Sequence, residues 1–232
     1  MKTFRRVGIV LMSVFMVAGL AACGDDDDAE TGKGDMGGLK TYAKCPDDRH
    51  PHLIDLGLPS GTKWSCCNVG ASTPEGYGGY YAWGETEEKS VYNWDTYLYY
   101  NKQEKKCIPI GNDISGTKYD VARVKWGAPW RMPTLKEIQE LRSNCTREWT
   151  QQNGVNGIRA TGPNGNSVFL AAAGYPRGEY LGSEGSCGYY WSGTLNSSSE
   201  GYACYLLFNS GDWNWGSLGS RDGGHSVRPV AE

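Results

Sequence analysis

Apolar residues along this chain come in short runs broken by Gly, Pro, Asn and Ser, a pattern of many brief strands rather than long helices. The run from His52 to Leu58, the turn residues Pro59, Ser60 and Gly61, and the run from Thr62 to Val69 predict a β-hairpin. On such a strand adjacent Cys66 and Cys67 point to opposite faces, so at most one should face the core. Residues 86–118 are polar and Tyr-rich without a clear period, which predicts a long loop packed by its own aromatic rings. One helix is strongly signed: Thr134 and Glu137 form a capping box, and Leu135, Ile138 and Leu141 then share a face as far as Asn144. A shorter helix is expected near Asp120–Lys125. After residue 155 the helical period disappears, and β segments are expected at 157–160, 167–172, 189–192, 202–208 and 226–230. Two short helices with small antiparallel sheets and long loops make the fold class α+β. In Tyr202–Asn209 the alternation puts Cys204, Leu206 and Phe208 on a core face, leaving Tyr205, Leu207 and Asn209 on the other. An exposed Leu207 would then need a partner.

Lys2, Arg5 and Arg6 precede an apolar run from Val7 to Leu20, which ends in Leu20-Ala21-Ala22-Cys23. That order of basic, apolar and small residues describes a secretory signal, too short to span a membrane as a helix. Cys23 at the cleavage point is the mark of a bacterial lipoprotein. The expected organisation is a signal peptide over 1–22, a lipidated tether over 23–44 and one domain over 45–232. Asp25–Asp28 begin a polar tract that cannot bury a core. Its position behind Cys23 resembles the surface-export signal of Bacteroidetes lipoproteins, which implies an outer-membrane, outward-facing location. Gly32, Gly34 and Gly37 spell Gly-x-Gly-x-x-Gly in this tract, but no strand precedes them, so no dinucleotide site is expected.

Charge narrows the choice of partner. The whole chain carries −3, and residues 1–22 hold three positive and no negative charges, so the mature form carries −6. No basic footprint for nucleic acid is present. Seven cysteines remain after Cys23, an odd number, and no Cys-x-x-Cys occurs to suggest zinc or redox chemistry. From Gly188 to Val230 the composition changes to Gly, Ser, Asn, Asp, Tyr and Trp with almost no Lys or Glu. Tyr and Trp supply rigid contact area while Ser, Gly and Asn supply adaptable hydrogen bonds, as on recognition surfaces. A Gly-rich meander whose aromatics are core accounts for the same composition.

Several segments carry a family resemblance: His52-Leu-Ile-Asp-Leu-Gly-Leu58, Cys67-Asn-Val-Gly-Ala71, Tyr81-Ala-Trp-Gly-Glu-Thr86, Trp130-Arg-Met-Pro-Thr134 and Gly162-Pro-Asn-Gly-Asn-Ser-Val-Phe-Leu170. They resemble the major paralogous domains of Bacteroidetes and Fibrobacter surface lipoproteins, whose fold is C-type lectin-like, in the branch of the formylglycine-generating enzymes. The tail, from Tyr190-Trp-Ser-Gly-Thr194 to Ser226-Val-Arg-Pro-Val230, is similar to the variable region of diversity-generating retroelement proteins. The resemblance implies buried anchors at Trp191, Leu206, Phe208, Val227 and Val230, with Trp213 also inward. It implies contact positions for an extracellular protein or glycan at Leu207, Asn209, Asp212, Asn214, Trp215, Ser217, Leu218, Ser220, Asp222 and His225. Gly219, Gly223 and Gly224 depart from this pattern by leaving little side chain on the presumed face. The family also suggests a Cys67–Cys145 disulfide, and Cys187 with Cys204 as a further pair; free buried thiols are the alternative.

Catalysis finds little support in the residues. The loops that bind calcium and sugar in lectins of this fold are missing, and no set of oxygen ligands converges on a metal. His50 and His52 stand beside Asp47, Asp48 and Asp55 without a second cluster, so they read as a solvated entry to the first strand rather than a zinc site. The near-phosphate-loop at Gly111–Lys118 has Lys and Thr reversed, and no Gly-x-Ser-x-Gly exists. The expectation is a non-enzymatic binder without a cofactor. Its rivals are a structural component of a surface fibre and a formylglycine-generating type of enzyme using Cys187 or Cys204.

Overall fold

A computed structural model describes residues 52–232, the side chain of Trp215 excepted. The signal peptide, the lipidation site Cys23, the tether and His50 lie outside the described residues. The fold class is α+β. In chain order the elements are β1 (Leu53–Asp55), β2 (Lys63–Ser65), β3 (Tyr100–Asn101), β4 (Lys106–Cys107), α1 (Val121–Trp126), α2 (Leu135–Asn144), β5 (Thr146–Gln152), β6 (Val155–Thr161), β7 (Ser167–Ala171), β8 (Tyr175–Arg177), β9 (Tyr180–Gly182), β10 (Cys187–Leu195), β11 (Tyr202–Asn209), β12 (Trp213–Ser220) and β13 (Val230–Ala231).

The strands form three antiparallel sheets of three, in the orders β1-β2-β13, β5-β6-β7 and β10-β11-β12, with two small hairpins, β3-β4 and β8-β9. The first hairpin forms as its pattern predicts, Leu53 opposite Ser65 and Asp55 opposite Lys63. The last strand closes on it, Val230 pairing with Trp64 and Ala231 with Lys63.

Both helices start where their caps require. Asp120 caps α1, its side chain accepting from the Ala122 and Arg123 amides. In α2 the capping box is complete, and its Glu137 does more than cap. Arg131 donates to both Glu137 oxygens at 2.8 and 2.7 Å, and the Thr62 hydroxyl donates at 2.9 Å, so one carboxylate ties α2 to the first hairpin. Ile138 and Leu141 face inward.

Two large apolar clusters make the core. One gathers Trp83, Trp130, Trp191, Tyr81 and Val227; the other gathers Ile138, Leu141, Ile158, Leu170, Leu206, Phe208 and Val230, and Ile54 packs against both. The stretch 86–118 does pack on its own rings, with Tyr92 and Tyr97 buried beside Trp94, Tyr99 and Tyr100, though it also folds the β3-β4 hairpin.

Four expectations are corrected. Cys66 and Cys67 are both buried, because β2 ends at Ser65 and strand alternation no longer governs them. His52 is buried rather than solvated, its Nδ1 lying 3.4 Å from the Cys66 sulfur. Cys67 and Cys145 form no bridge, since they belong to different core clusters and the Cys145 thiol is free. The Cys187–Cys204 pair is likewise absent.

Candidate functional site

The sheet β10-β11-β12 has two unlike faces. On one, Tyr190, Leu206, Phe208 and Trp213 are buried in the second core cluster. Gly188 lies opposite Phe208 on this face, and a Cβ there would stand 2.0 Å from the ring, so only glycine admits it. The other face carries Tyr189 opposite Leu207 and Trp191 opposite Tyr205 across β10 and β11. Across β11 and β12 it continues with Ser217 opposite Tyr205 and Asn214 opposite Leu207.

Asn214 and Ser217 are three residues apart, yet both reach this face. Between Tyr205 and Leu207 the register shifts by one, and Gly216, at φ +72°, lets β12 take up the extra residue. The same bulge sends Leu218 to the opposite face, across from Cys204, where it is 49% exposed.

The second face is a floor of rings on a buried histidine. Tyr175, from β8, lies 4.5 Å from Tyr189, and Tyr189 stacks at 5.8 Å on Tyr205. Beneath them the His225 ring stacks on Trp191 at 3.9 Å and meets Tyr205 at 4.8 Å. A carbonyl can only accept, so the 2.7 Å contact between His225 Nδ1 and the Gly224 oxygen fixes the proton on Nδ1. Nε2 is then a bare acceptor with no hydrogen-bond partner among the described residues. Burial holds the imidazole pKa down at about 4, against the weaker opposing pull of the Gly224 carbonyl. Burial pushes the Tyr189 hydroxyl up to about 12 and also raises that of Tyr205, so both stay protonated donors.

Of the expected contact positions, Leu207, Asn209 and Ser217 are half-buried and Asn214 is exposed, and these four share the Tyr189–Tyr205 face. Asp212 is exposed in the β11–β12 turn, which the Asn209 side chain shapes by accepting from the Gly211 and Asp212 amides. Ser220 is half-buried at the far end of β12, and its hydroxyl donates to Asp222. Four positions do not stand as contacts on this face. Leu218 and Ser220, opposite Cys204 and Tyr202, are on the wrong side of the sheet, displaced by the bulge. Asp222 and His225 are buried, 7% and 4% exposed, because the chain after β12 turns inward. The side chain of Trp215 lies outside the described residues.

The glycines explain why. A Cβ on Gly219 would stand 2.7 Å from Trp191 and 2.9 Å from His225, and one on Gly224 would stand 2.6 Å from Pro176. They are not gaps on a display surface but the places where buried rings press against the backbone. The anchors Trp191, Leu206, Phe208, Trp213, Val227 and Val230 are all buried.

Sequence reasoning missed the β8-β9 hairpin, whose Tyr175 completes the aromatic floor. The signal is present in Gly174-Tyr-Pro-Arg-Gly178-Glu-Tyr-Leu-Gly182, two Tyr-bearing runs around a Gly-containing turn. Pro176 masked it, since proline argues against a strand except at an edge. Among the described residues no cluster of three or more His, Cys, Asp and Glu could hold a metal. Cys187 and Cys204 sit on opposite faces of the sheet, Cys187 pairing with Asn209 and Cys204 with Leu218. The chain matches no family model, no curated protein and no solved structure.

Proposed function

We propose that this chain is a surface-anchored lipoprotein that binds an extracellular protein or glycan through the exposed face of its C-terminal region, on a C-type lectin-like scaffold. The anchor rests on the Cys23 signal and the acidic tract behind it. The site rests on one observation: Tyr189, Tyr205, Leu207, Asn214 and Ser217 form a continuous, partly exposed face on a sheet whose other side is packed against α2. Rings over a rigid core with Asn and Ser at the margin give a preorganised aromatic centre and a hydrogen-bonding rim. The resemblance to retroelement-diversified proteins adds that the buried anchors would hold the sheet while the positions between them would meet the ligand.

The test is to screen labelled mature protein against arrays of extracellular glycans and matrix proteins, alongside Leu207→Asp. The charge should weaken binding to the captured partner by roughly tenfold or more, the scale of a lost central contact. The melting temperature should hold. Unchanged affinity in a folded Leu207→Asp protein would remove this face as the site.

A further inference from the structure

We infer that the β8-β9 hairpin walls a subsite for one neutral hexopyranose residue, a reading that rests on the binding face just proposed and specifies its ligand. The register pairs Tyr175 with Gly182 and Arg177 with Tyr180, so these four residues share one face of the hairpin, and Pro176 and Leu181 share the other. Gly182 puts no side chain opposite Tyr175. The gap opens a pocket of about 380 Å³ lined by Tyr175, Arg177, Tyr180, Gly182 and Ser183. That volume falls within the range of about 300–1,000 Å³ typical of small-molecule sites.

The frame behind the pocket is fixed. Gly178, in the hairpin turn, exchanges backbone hydrogen bonds with Tyr92 at 2.7 and 2.8 Å, and the Pro176 carbonyl accepts from the Gly224 amide at 3.2 Å. Tyr175 joins the pocket to the sheet through its 4.5 Å contact with Tyr189. Ser183 holds φ at +60°, a left-handed conformation uncommon for a serine.

The lining selects the ligand class. Tyr180 is 75% exposed, presenting a ring that water solvates poorly. The negative face of a ring attracts slightly positive C–H groups, and a pyranose offers a face of such groups with hydroxyls around its edge. Arg177 supplies several donors to hydroxyl and ring oxygens from one side chain. A cationic ligand would meet that guanidinium, and for an anionic one Glu179 and Glu184, exposed on the same short segment outside the lining, offset its attraction. A neutral sugar avoids both penalties.

Saturation-transfer NMR on the mature protein tests this with glucose, galactose, mannose and N-acetylglucosamine and their β-linked oligomers, with glucuronate and choline as charged controls. At least one neutral sugar should bind, and Tyr180→Ala should weaken it roughly tenfold with the melting temperature unchanged, since the ring is exposed. No binding by any neutral sugar, stronger binding by either charged control, or full affinity in Tyr180→Ala overturns the subsite. Leu207→Asp run in parallel separates the two readings. Loss at Leu207 alone removes the subsite and keeps the sheet face, loss at Tyr180 alone keeps the subsite and removes the sheet face, and loss at neither removes both.

Discussion

His225 is the residue whose chemistry departs furthest from what its sequence position suggests. A histidine in a polar, Gly-rich tail reads as a contact, yet here it is a neutral spacer among Trp191, Tyr189, Tyr205 and Tyr175. The folded protein resists protonating it down to about pH 4, while the unfolded chain takes up the proton below its ordinary 6.5. Stability therefore falls as pH drops through that window, by about 3 kcal/mol for this group, and is unaffected by it above. Urea midpoints measured from neutral pH downward should show this loss. His225→Phe, which keeps a planar ring without a proton site, should remove that part of the slope, and equal slopes in the two proteins would mean that His225 titrates normally. The alternation of Tyr202–Asn209 was legible because β11 is regular, and it placed Cys204, Leu206 and Phe208 correctly inside. The fate of His225 was not, because it depends on Gly219 and Gly224 letting distant rings approach, and a glycine in sequence does not say what will press against it.

At the scale of elements, the capped helix shows local sequence and tertiary structure agreeing. Thr134 and Glu137 announce the start of α2, and both perform as announced. What they could not announce is that Glu137 also receives Arg131 and Thr62, partners fixed only once the helix docks. The two substitutions should differ accordingly. Thr134→Ala removes one cap and should cost about 1 kcal/mol. Glu137→Ala leaves the mostly buried Arg131 without its carboxylate and should cost about 3 kcal/mol. Denaturant midpoints at constant slope measure both, and equal costs would mean that the Arg131 contact contributes nothing net. β12 gives the opposite lesson. Its Gly216 bulge reassigns every later side chain to the other face, which is why Leu218 was misplaced while Asn214, ahead of the bulge, was not.

For the whole molecule, the two apolar clusters and the three sheets depend on joints between segments far apart in the chain. The clearest is the return of the C-terminus. Val230 and Ala231 are fully buried and pair with β2; Val230 exchanges backbone hydrogen bonds with Arg131, and the Pro229 carbonyl accepts from the Ser65 amide. Arg228 inserts beside them and donates to Asn68 and to the carbonyls of Ser65, Cys66 and Pro74. Deleting residues 229–232 should abolish the cooperative thermal transition, a loss above about 4 kcal/mol. Circular dichroism through a heating ramp would show it, and a sharp transition in the truncated chain would mean that the closure is dispensable.

That closure also sets the order of events when the chain is made. The central strand of the first sheet pairs with its near neighbour β1 on one edge, and its other edge is completed only when Val230 and Ala231 reach it. Pairings of this long sequence separation form on the slow side of the range for small domains, milliseconds to seconds.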